Sequence, residues 1–413
     1  MRILIYGINY YPELIGIGKY SGDMSEWLTE KGHQIRVITA PPYYPEWQIH
    51  QQYRNRYYKE KTTSGIQIWR CPLYVPNKPN TLTRLLHLFS FALSSLPIVF
   101  LQWRWKPQLI ITIEPTLLIT PTSLLFAKCC GAKTLLHIQD YELDTLLKLN
   151  TNYPKELISI AKKIERYLMQ KFDSISTLSP SMLQLAKKKL PFFKSIWLFP
   201  NWVDTGFIRP QYQVNYFRQQ WQIELHTKVI LYSGNMGKKQ GLELIIQAAD
   251  YFRPYPDILF LMVGTGVIES ELKIYADQLQ LTNIRFYPLQ SYQYLPALMT
   301  VADIHLVLQK KGVADTVLPS KLTTIFAAGG TAIISAETNT ALDLLCKQFP
   351  KIAYCIEPES LKALIDQLQF LLTTINPNNR QYNFIARQYA EYYLDRKTIL
   401  NDFTEQLNQQ FNH

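Results

Sequence analysis

The sequence predicts an α/β protein made of two doubly wound, Rossmann-like domains in tandem. Short runs rich in β-branched residues alternate with stretches of helical spacing along most of the 413 residues. The alternation breaks once, at the segment FPNWVDTGFIRP, residues 199–210. A chain of this length is sufficient for two domains. Because ligands of such sheets bind outside the carboxyl ends of the strands, we expect a cleft that the two domains face.

The first series begins with a β-α-β unit, the building block of a parallel sheet. Its predicted elements are strand 2–9, helix 21–31, strand 33–39, strand 108–113, helix 117–130, strand 133–139, helix 156–171, strand 174–178, helix 181–189 and strand 196–199. An uncharged run, LLHLFSFALSSLPIVFLQW at residues 85–103, follows the second strand. Its proline, its histidine and its serines favour a buried or interfacial helix over a membrane span, and the basic residues at both ends set no orientation.

The second series begins at Lys228. Its predicted elements are strand VILYSG, helix 241–252, strand ILFLMVG, helix 269–280, strand IRFYPL, helix 295–302 and strand IHLVLQ. We therefore predict domains at residues 1–203 and 204–378. Residues 379–413 contain the pattern of one amphipathic helix, which we expect to pack back towards the first domain.

Positive charge is concentrated in the first half of the chain. The net charge of +11 divides into 25 Lys and Arg against 13 Asp and Glu in residues 1–200, and 18 against 19 in the rest. Nucleic acid, anionic lipid, a phosphorylated substrate or a solvated basic face would each explain this. The segment QQYRNRYYKEK, residues 51–61, has no RNA-binding motif beside it, so we favour a lipid headgroup surface and expect no nucleic acid.

The five cysteines have no framework spacing and predict reduced thiols in a cytosolic protein. No CxxC or His-rich spacing indicates a zinc site, and no Asp-x-Asp is present to bridge a metal to a diphosphate. We therefore expect neither a metal nor a cofactor. Residues 1–20 indicate a buried first strand, not a signal peptide.

Glycine-containing turns follow predicted strands in both series. Gly16 and Gly18 precede a helix whose amides would suit phosphate, with a flexible turn as the alternative. The incomplete glycine pattern and the absence of an acid after the second strand disfavour a dinucleotide. The turn SGNMGKKQGLE adds Lys238 and Lys239 to its glycines, which favours an anion site. The turn VGTGVIES is better explained by tight packing.

The stretch ADTVLPSKLTTIFAAGG, residues 314–330, contains Pro-Ser-Lys where a loop passes into a helix. Ser320 is a predicted N-cap. Lys321 stands at the positive end of that helix, where the dipole disfavours a cation unless an anion binds too. We predict an anion on the amides of residues 318–321, with a surface lysine as the alternative.

Acid–base candidates are few. The segment HIQDYELD places His137 and Asp140 at and after a strand end, where a cleft residue would lie. Acids that simply begin a helix are the alternative. His33 and His305 are predicted to be core or edge histidines.

Several long blocks of the sequence resemble one family. MRILIYGINYYPELIGIGKYSGDM, VITAPPYYPEWQ, LLHIQDYELD, FPNWVD, LYSGNMGKKQGLE and DTVLPSKLTTIFAAGG are similar to the WcaI-type glycosyltransferases of colanic acid and related exopolysaccharide synthesis, within retaining family 4 of the GT-B fold. The resemblance covers nearly the whole chain. It implies a nucleotide-diphosphate sugar on the C-terminal domain and a polyprenyl-diphosphate-linked saccharide on the N-terminal domain, at the cytoplasmic face of the membrane. It also implies retention without a metal, with GDP-fucose as a first candidate among GDP- and UDP-sugars.

The resemblance implies roles for individual residues. Gly16 and Gly18 match a glycine loop near the donor diphosphate, and Leu289 and Gln290 match the segment that contacts the base. The further donor-binding positions are Gly234 and Asn235, which match Gly-Arg, and Gln240, which matches a phosphate lysine that Lys238 or Lys239 would replace. The last loop and helix contribute Asp315, Thr316, Leu318, Pro319, Ser320 and Thr324, with Lys321, His137 and Asp140 as the catalytic residues.

The largest departure from the family is at two acidic positions. Many members have glutamates where this chain has Thr316 and Thr324, one near the sugar and one on the ribose. Either Asp315 or Glu337 replaces these glutamates in binding the donor, or hydroxyl and amide groups are sufficient for that binding. In the implied mechanism fixed amides and Lys321 stabilise the departing diphosphate, and its phosphate accepts the acceptor proton.

Two other classes of function are open. One is another GT-B enzyme, such as a nucleotide-sugar epimerase or a phosphorylase, although neither motif is present. The other is a catalytically silent, membrane-associated binding protein, which the missing glutamates would permit.

Overall fold

The structure, a computed structural model, describes residues 1–411 except 14–15, 45, 78–79, 115–116, 142, 145–153, 194, 212–214, 313–318 and 378. The chain forms two compact units. The first is Met1–Pro200 with Leu400–His413, and the second is Asn201–Ile399. The predicted domain limits at 203/204 and 378/379 remain predictions beside this division.

The first unit contains an eight-stranded sheet. Its strands are β1 Arg2–Tyr6, β2 Gln34–Thr39, β3 Tyr58–Lys61, β4 Gln67–Arg70, β5 Leu109–Glu114, β6 Lys133–Ile138, β7 Ser174–Thr177 and β8 Ile196–Leu198. Its first five helices are α1 Ile17–Glu30, α2 Thr81–Leu101, α3 Thr120–Cys130, α4 Lys155–Met169 and α5 Pro180–Lys189. The strand order is β3-β4-β2-β1-β5-β6-β7-β8, and only β3 and β4 pair antiparallel. Strand β5 is buried throughout, as expected of a parallel strand that is covered on both faces.

The uncharged run forms helix α2, which confirms the predicted helix. It begins at a capping box between Asn80 and Thr83 and contains Pro97. Segment Thr81–Arg104 is long and apolar enough to cross a membrane by length and composition, with a mean hydropathy of 1.7. In this structure 33% of that window is buried within the protein, and a core helix meets the same test.

The second unit contains a six-stranded sheet that is parallel throughout. Its strands are β9 Lys228–Ser233, β10 Ile258–Val263, β11 Ile284–Tyr287, β12 Ile304–Val307, β13 Ala332–Ser335 and β14 Tyr354–Ile356. Its helices are α6 Tyr216–Gln220, α7 Glu243–Tyr251, α8 Glu269–Gln278, α9 Leu295–Val301, α10 Ser320–Ala327, α11 Ala341–Gln348, α12 Leu361–Thr374 and α13 Phe384–Tyr389. The strand order is β11-β10-β9-β12-β13-β14.

Both sheets have a topological switch point, where ligands of α/β proteins bind. In the first sheet it lies between β1 and β5, and in the second between β9 and β12. The turn after β9 and the loop after β12 therefore border one crevice of the second unit.

The prediction of one helix at the end of the chain is wrong. Helix α13 passes into a π-helical turn, Ala390–Leu394, and helix α14 Arg396–Phe411 begins only after Asp395. Asp395 is extended, and its carboxylate accepts the backbone N–H groups of Lys397 and Thr398 at 3.1 and 3.2 Å. An aspartate in this position ends one helix and caps the next.

The last turns of α14 pack within the first unit. Trp27 Nε1 donates to Thr404 Oγ1 at 3.1 Å, and Phe403 stacks on Phe199 with ring centroids 3.8 Å apart. Ser195 Oγ donates to Gln410 Oε1 at 2.8 Å. Aromatic stacking and buried area hold the end of the chain in place.

Candidate functional site

Tight backbone packing shapes the turn after β9. Gly234 has a φ of 129°, which side-chain-bearing residues rarely adopt, and its N–H donates to Val263 O at 2.8 Å. A Cβ on Gly264 would lie 2.0 Å from the Gly234 oxygen, and one on Gly266 would lie 2.3 Å from the Met236 oxygen. The turn VGTGVIES therefore serves packing, as predicted. Its backbone lies directly against the backbone of the turn after β9.

Lys321 lies directly against this turn. Its Nζ donates to the hydroxyl of Tyr232 at 2.8 Å and sits 4.1 Å from the centre of the Tyr232 ring. A Cβ on Gly234 would lie 2.5 Å from Lys321 Cε and 2.9 Å from Nζ. The lysine side chain therefore occupies the space that the missing side chain of Gly234 leaves.

The Lys321 ammonium is largely enclosed by protein atoms. Burial lowers the pKa of Lys321 to about 8, because desolvation disfavours the charged form. The Tyr232 hydroxyl donates onward to Asn235 O at 2.6 Å, and burial raises the pKa of Tyr232, so it stays a neutral phenol. Across the described part of the chain no carboxylate forms an ion pair with Lys321. An anion bound beside Nζ would remove this unfavourable burial of charge.

The rest of the turn after β9 supplies polar and basic side chains. Asn235, Lys238 and Lys239 are exposed, and the two lysines lie on the 3₁₀ turn Lys238–Gln240. The Oε1 atom of Gln240 is buried and has no hydrogen-bond partner among the residues that the structure describes. The structure thus places Gly234 against Lys321 and connects Lys321 to Asn235 O through the Tyr232 hydroxyl, while Lys238 and Lys239 are exposed on the same turn.

Sequence reasoning missed Tyr232 and Lys310. The side chain of Lys310, which follows β12, lies 3.3 Å from the position of a Cβ on Gly241, and its N–H donates to Lys239 O at 2.8 Å. Its Nζ is 4.0 Å from Glu243 Oε1. Tyr232 lies near the carboxyl end of β9, and Lys310 follows the carboxyl end of β12. Because ligands bind at these strand ends, the position of both residues in the sequence could have indicated a role in the site.

The loop-to-helix stretch differs from its prediction at Ser320. Helix α10 begins at Ser320 with Pro319 in the N-cap position, and no side chain caps it, so the predicted Ser320 cap is wrong. The Thr324 hydroxyl donates to Ser320 O at 3.3 Å. Asp315, Thr316 and Leu318 lie outside the described residues. Glu337 accepts the N–H of Gly312 at 3.1 Å, which ties Gly312 to the segment after β13.

The predicted base-contacting residues follow the edge strand β11. Leu289 is 60% exposed, and Gln290 Nε2 donates to Pro288 O at 2.7 Å. Strand β10 separates β11 from β9 in the sheet. Leu289 and Gln290 therefore lie at a distance from Lys321 along the carboxyl edge, and their role stays a prediction.

In the first unit, Gly18 packs against a buried carboxylate. A Cβ on Gly18 would lie 2.6 Å from Glu13 Cβ, whereas one on Gly16, with a φ of 63°, meets no atom within 4 Å. Glu13 accepts the N–H groups of Tyr43 and Tyr44 at 3.2 and 3.1 Å, and burial raises its pKa. Glu13 thereby ties the turn after β1 to the loop after β2, a link that the sequence did not reveal.

His137 is enclosed in its sheet. Its Nδ1 is 2.9 Å from Ser176 Oγ, and its Nε2 accepts from Gln139 Nε2 at 2.9 Å. Desolvation lowers the pKa of His137 to about 3, so the ring is neutral and both nitrogens are occupied. Asp140 follows β6 and is half-buried. The catalytic roles of both residues stay predictions. His305 is buried on β12, as predicted.

The two α/β units, each with a switch-point crevice, have the layout of the GT-B glycosyltransferases, which confirms the predicted fold class. A family model described as "Glycosyl transferase 4-like domain" matches residues 16–202, and one described as "Glycosyl transferases group 1" matches residues 214–388. The chain belongs to this glycosyltransferase family. It is 47% identical over 98% of both chains to the putative colanic acid biosynthesis glycosyl transferase WcaI of Escherichia coli K12.

Solved structures share the fold at much lower identity. A sucrose-phosphate synthase from Thermosynechococcus elongatus superposes with a TM-score of 0.74 at 15% identity, covering 100% of this chain and 99% of that one. The Anabaena protein HepE in complex with UDP gives a TM-score of 0.70 at 12% identity, covering 99% and 100%. These similarities support the fold of both units.

Proposed function

We propose that this glycosyltransferase moves a sugar from a nucleotide-diphosphate sugar to a polyprenyl-diphosphate-linked saccharide in the synthesis of a colanic acid-like exopolysaccharide. The pathway follows from the 47% identity to the Escherichia coli relative. The donor is GDP-fucose or another GDP- or UDP-sugar. Transfer retains the anomeric configuration and uses neither a metal nor a cofactor.

The observation that carries the donor assignment is the largely enclosed ammonium of Lys321 beside Gly234, which pairs with no carboxylate among the residues that the structure describes. A diphosphate placed there would receive a charge-assisted hydrogen bond from Nζ, and Lys238 and Lys239 on the same turn, with Lys310 against Gly241, add positive charge to this part of the unit. As the sugar–phosphate bond breaks, negative charge grows on the departing diphosphate. A fixed cation in a partly desolvated site stabilises that charge by about 2–4 kcal/mol. The leaving phosphate then accepts the proton of the acceptor hydroxyl.

A transfer assay tests this function. The protein is incubated with a panel of radiolabelled GDP- and UDP-sugars and polyprenyl-diphosphate-linked saccharides, with and without a chelator. We expect one donor to give a lengthened lipid-linked saccharide, with the donor's anomeric configuration and no effect of the chelator. Interconversion of the nucleotide sugar without transfer would indicate an epimerase instead, and binding without turnover would indicate a silent binding protein.

We also propose that the enzyme acts at the cytoplasmic face of the membrane, through the outer face of α2. One face of α2 packs on the sheet and on α3 through buried residues such as Phe91 and Val99. The opposite face is a continuous exposed row of large apolar side chains: Leu82, Leu85, Leu86, Phe89, Leu93 and Leu96. Soluble proteins usually expose large apolar side chains singly. A continuous row of them is typical of a helix that lies in the membrane interface.

Basic and aromatic residues beside α2 support an anionic bilayer as the partner. The Tyr57 hydroxyl donates to Ser94 O at 2.9 Å and thereby joins the segment 51–61 to α2. Arg54, Arg56 and Lys59 of this segment are exposed. Cations at the edge of an apolar row attract anionic headgroups while the row enters the acyl boundary.

Vesicle flotation tests this surface. Phe89→Glu should abolish binding to phosphatidylglycerol vesicles, and Leu225→Glu should not, because Leu225 is even more exposed than Phe89 but belongs to the second unit. High salt should weaken wild-type binding. Unchanged flotation of Phe89→Glu would contradict the role of α2.

A further inference from the structure

Two cysteines that the proposed function does not use lie side by side in the second unit. Cys346 is on helix α11 and Cys355 is on the edge strand β14. Their Sγ atoms are 2.9 Å apart. A disulfide bond is about 2.05 Å long, so a shift of about 1 Å would join them. Both side chains are partly exposed and open to a small reagent.

Their surroundings favour thiol chemistry. The Cys355 thiol donates to Cys346 Sγ and also lies 3.8 Å from Leu342 O. The donated hydrogen bond lowers the pKa of Cys346, and a thiol with more thiolate character attacks disulfides faster. The other cysteines differ: Cys71 is buried, and burial raises its pKa to about 12.

We propose that Cys346 and Cys355 form a redox-active dithiol site that low-molecular-weight disulfides, such as oxidised glutathione, convert to an intramolecular disulfide. The Cys346 thiolate attacks one sulfur of the oxidised glutathione, forms a mixed disulfide and releases one glutathione thiolate. Cys355 then loses its proton to solvent and attacks the Cys346 sulfur, which releases the second glutathione. The two cysteines are oxidised by two electrons, and one oxidised glutathione is reduced to two thiols.

The new bond would fasten α11 to β14, which leads directly into residues that contact Lys311. Lys311 Nζ donates to Glu357 Oε1 at 2.9 Å, and the N–H of Lys311 donates to Glu359 Oε2 at 3.0 Å. Both glutamates follow β14 directly along the chain. Cys355 of the thiol pair thus lies two residues before the first of the glutamates that contact Lys311.

Oxidation of the full chain with oxidised glutathione tests the site. Mass spectrometry of the wild type should show the loss of two hydrogens and a peptide that links Cys346 to Cys355, and reduction should reverse both. The melting temperature of the oxidised protein should rise by roughly 5 °C, because the bond restricts the unfolded chain. C346S and C355S, as matched controls, should lack the internal link and the rise.

Other outcomes would overturn the proposal. Persistent mixed disulfides on Cys346 or Cys355 in the wild type would show that the second step does not occur. A link that instead involves Cys129 or Cys130 would assign the reactivity elsewhere. An unchanged or lower melting temperature in the linked protein would show that the bond does not fit this arrangement.

Discussion

Replacement of Gly234 by alanine should disable Lys321 without removing it. The added Cβ would lie 2.5 Å from Lys321 Cε and 2.9 Å from Nζ, so the lysine must retreat by about 1 Å to restore ordinary contact. Its bonds to the Tyr232 hydroxyl and to the proposed diphosphate would both be lost. At about 2–4 kcal/mol for a fixed charge-stabilising group, kcat/KM should fall roughly 30- to 1,000-fold.

The backbone adds a second effect that needs a control. At a φ of 129° an alanine is strained by about 1–3 kcal/mol, which lowers the melting temperature. Gly65→Ala is the matched variant: its φ is 97°, and no atom lies within 4 Å of the added Cβ. It should lose stability but keep its rate. The assay is initial-rate transfer at several donor concentrations, with thermal melts alongside. A folded Gly234→Ala protein with wild-type kcat/KM would refute the position of Lys321 described here.

Three further predictions follow from the same contacts. Tyr232→Phe removes the hydroxyl that accepts from Lys321 but keeps the ring, so kcat/KM should fall about 5-fold, the equivalent of about 1 kcal/mol; a loss greater than about 100-fold would contradict this. With the pKa of Lys321 lowered to about 8, donor kcat/KM should be flat below pH 8 and fall above it. The titration of Lys321 does not itself destabilise the fold over this range, because between pH 8 and 10.5 the unfolded lysine keeps a proton that the native one has lost, so this group makes the fold more stable as pH rises. Gly18→Ala should lower stability by about 1–3 kcal/mol in denaturant unfolding because the added Cβ would lie 2.6 Å from Glu13 Cβ and overpack it; an unchanged stability would contradict the packing.

The tandem α/β fold could be predicted because it depends on local alternation. Each strand-helix repeat carries its own apolar pattern, and parallel sheets of this kind follow from it. The placement of Lys321 beside the Gly234 turn could also be anticipated, since both follow strands at one edge of a sheet. The broken helix at Asp395 could not, because its cause is a pairing with Val203 far away in the chain.

Several side-chain contacts of the site could not be predicted either, because they too join residues that are far apart in the sequence. Tyr232 supports Lys321 only because a strand and a helix far apart in sequence meet at the switch point. Glu13 matters to Gly18 because backbone groups of Tyr43 and Tyr44 hold its carboxylate. His137 lies at the strand position that suggested a cleft residue, yet its neighbours in the sheet occupy both of its nitrogens. Side-chain partners across strands are not visible in one strand's sequence.

Lys321→Met tests the central claim most directly, because methionine keeps the length and removes the charge. In the transfer assay at pH 7.5, kcat/KM should fall at least about 30-fold, while the melting temperature should stay the same or rise, since a buried charge that has no anionic partner in the described chain is removed. A structural lysine would show the reverse, with lower stability and a preserved rate in the remaining folded protein. Wild-type kcat/KM in Lys321→Met would contradict the assignment of this residue to the donor diphosphate.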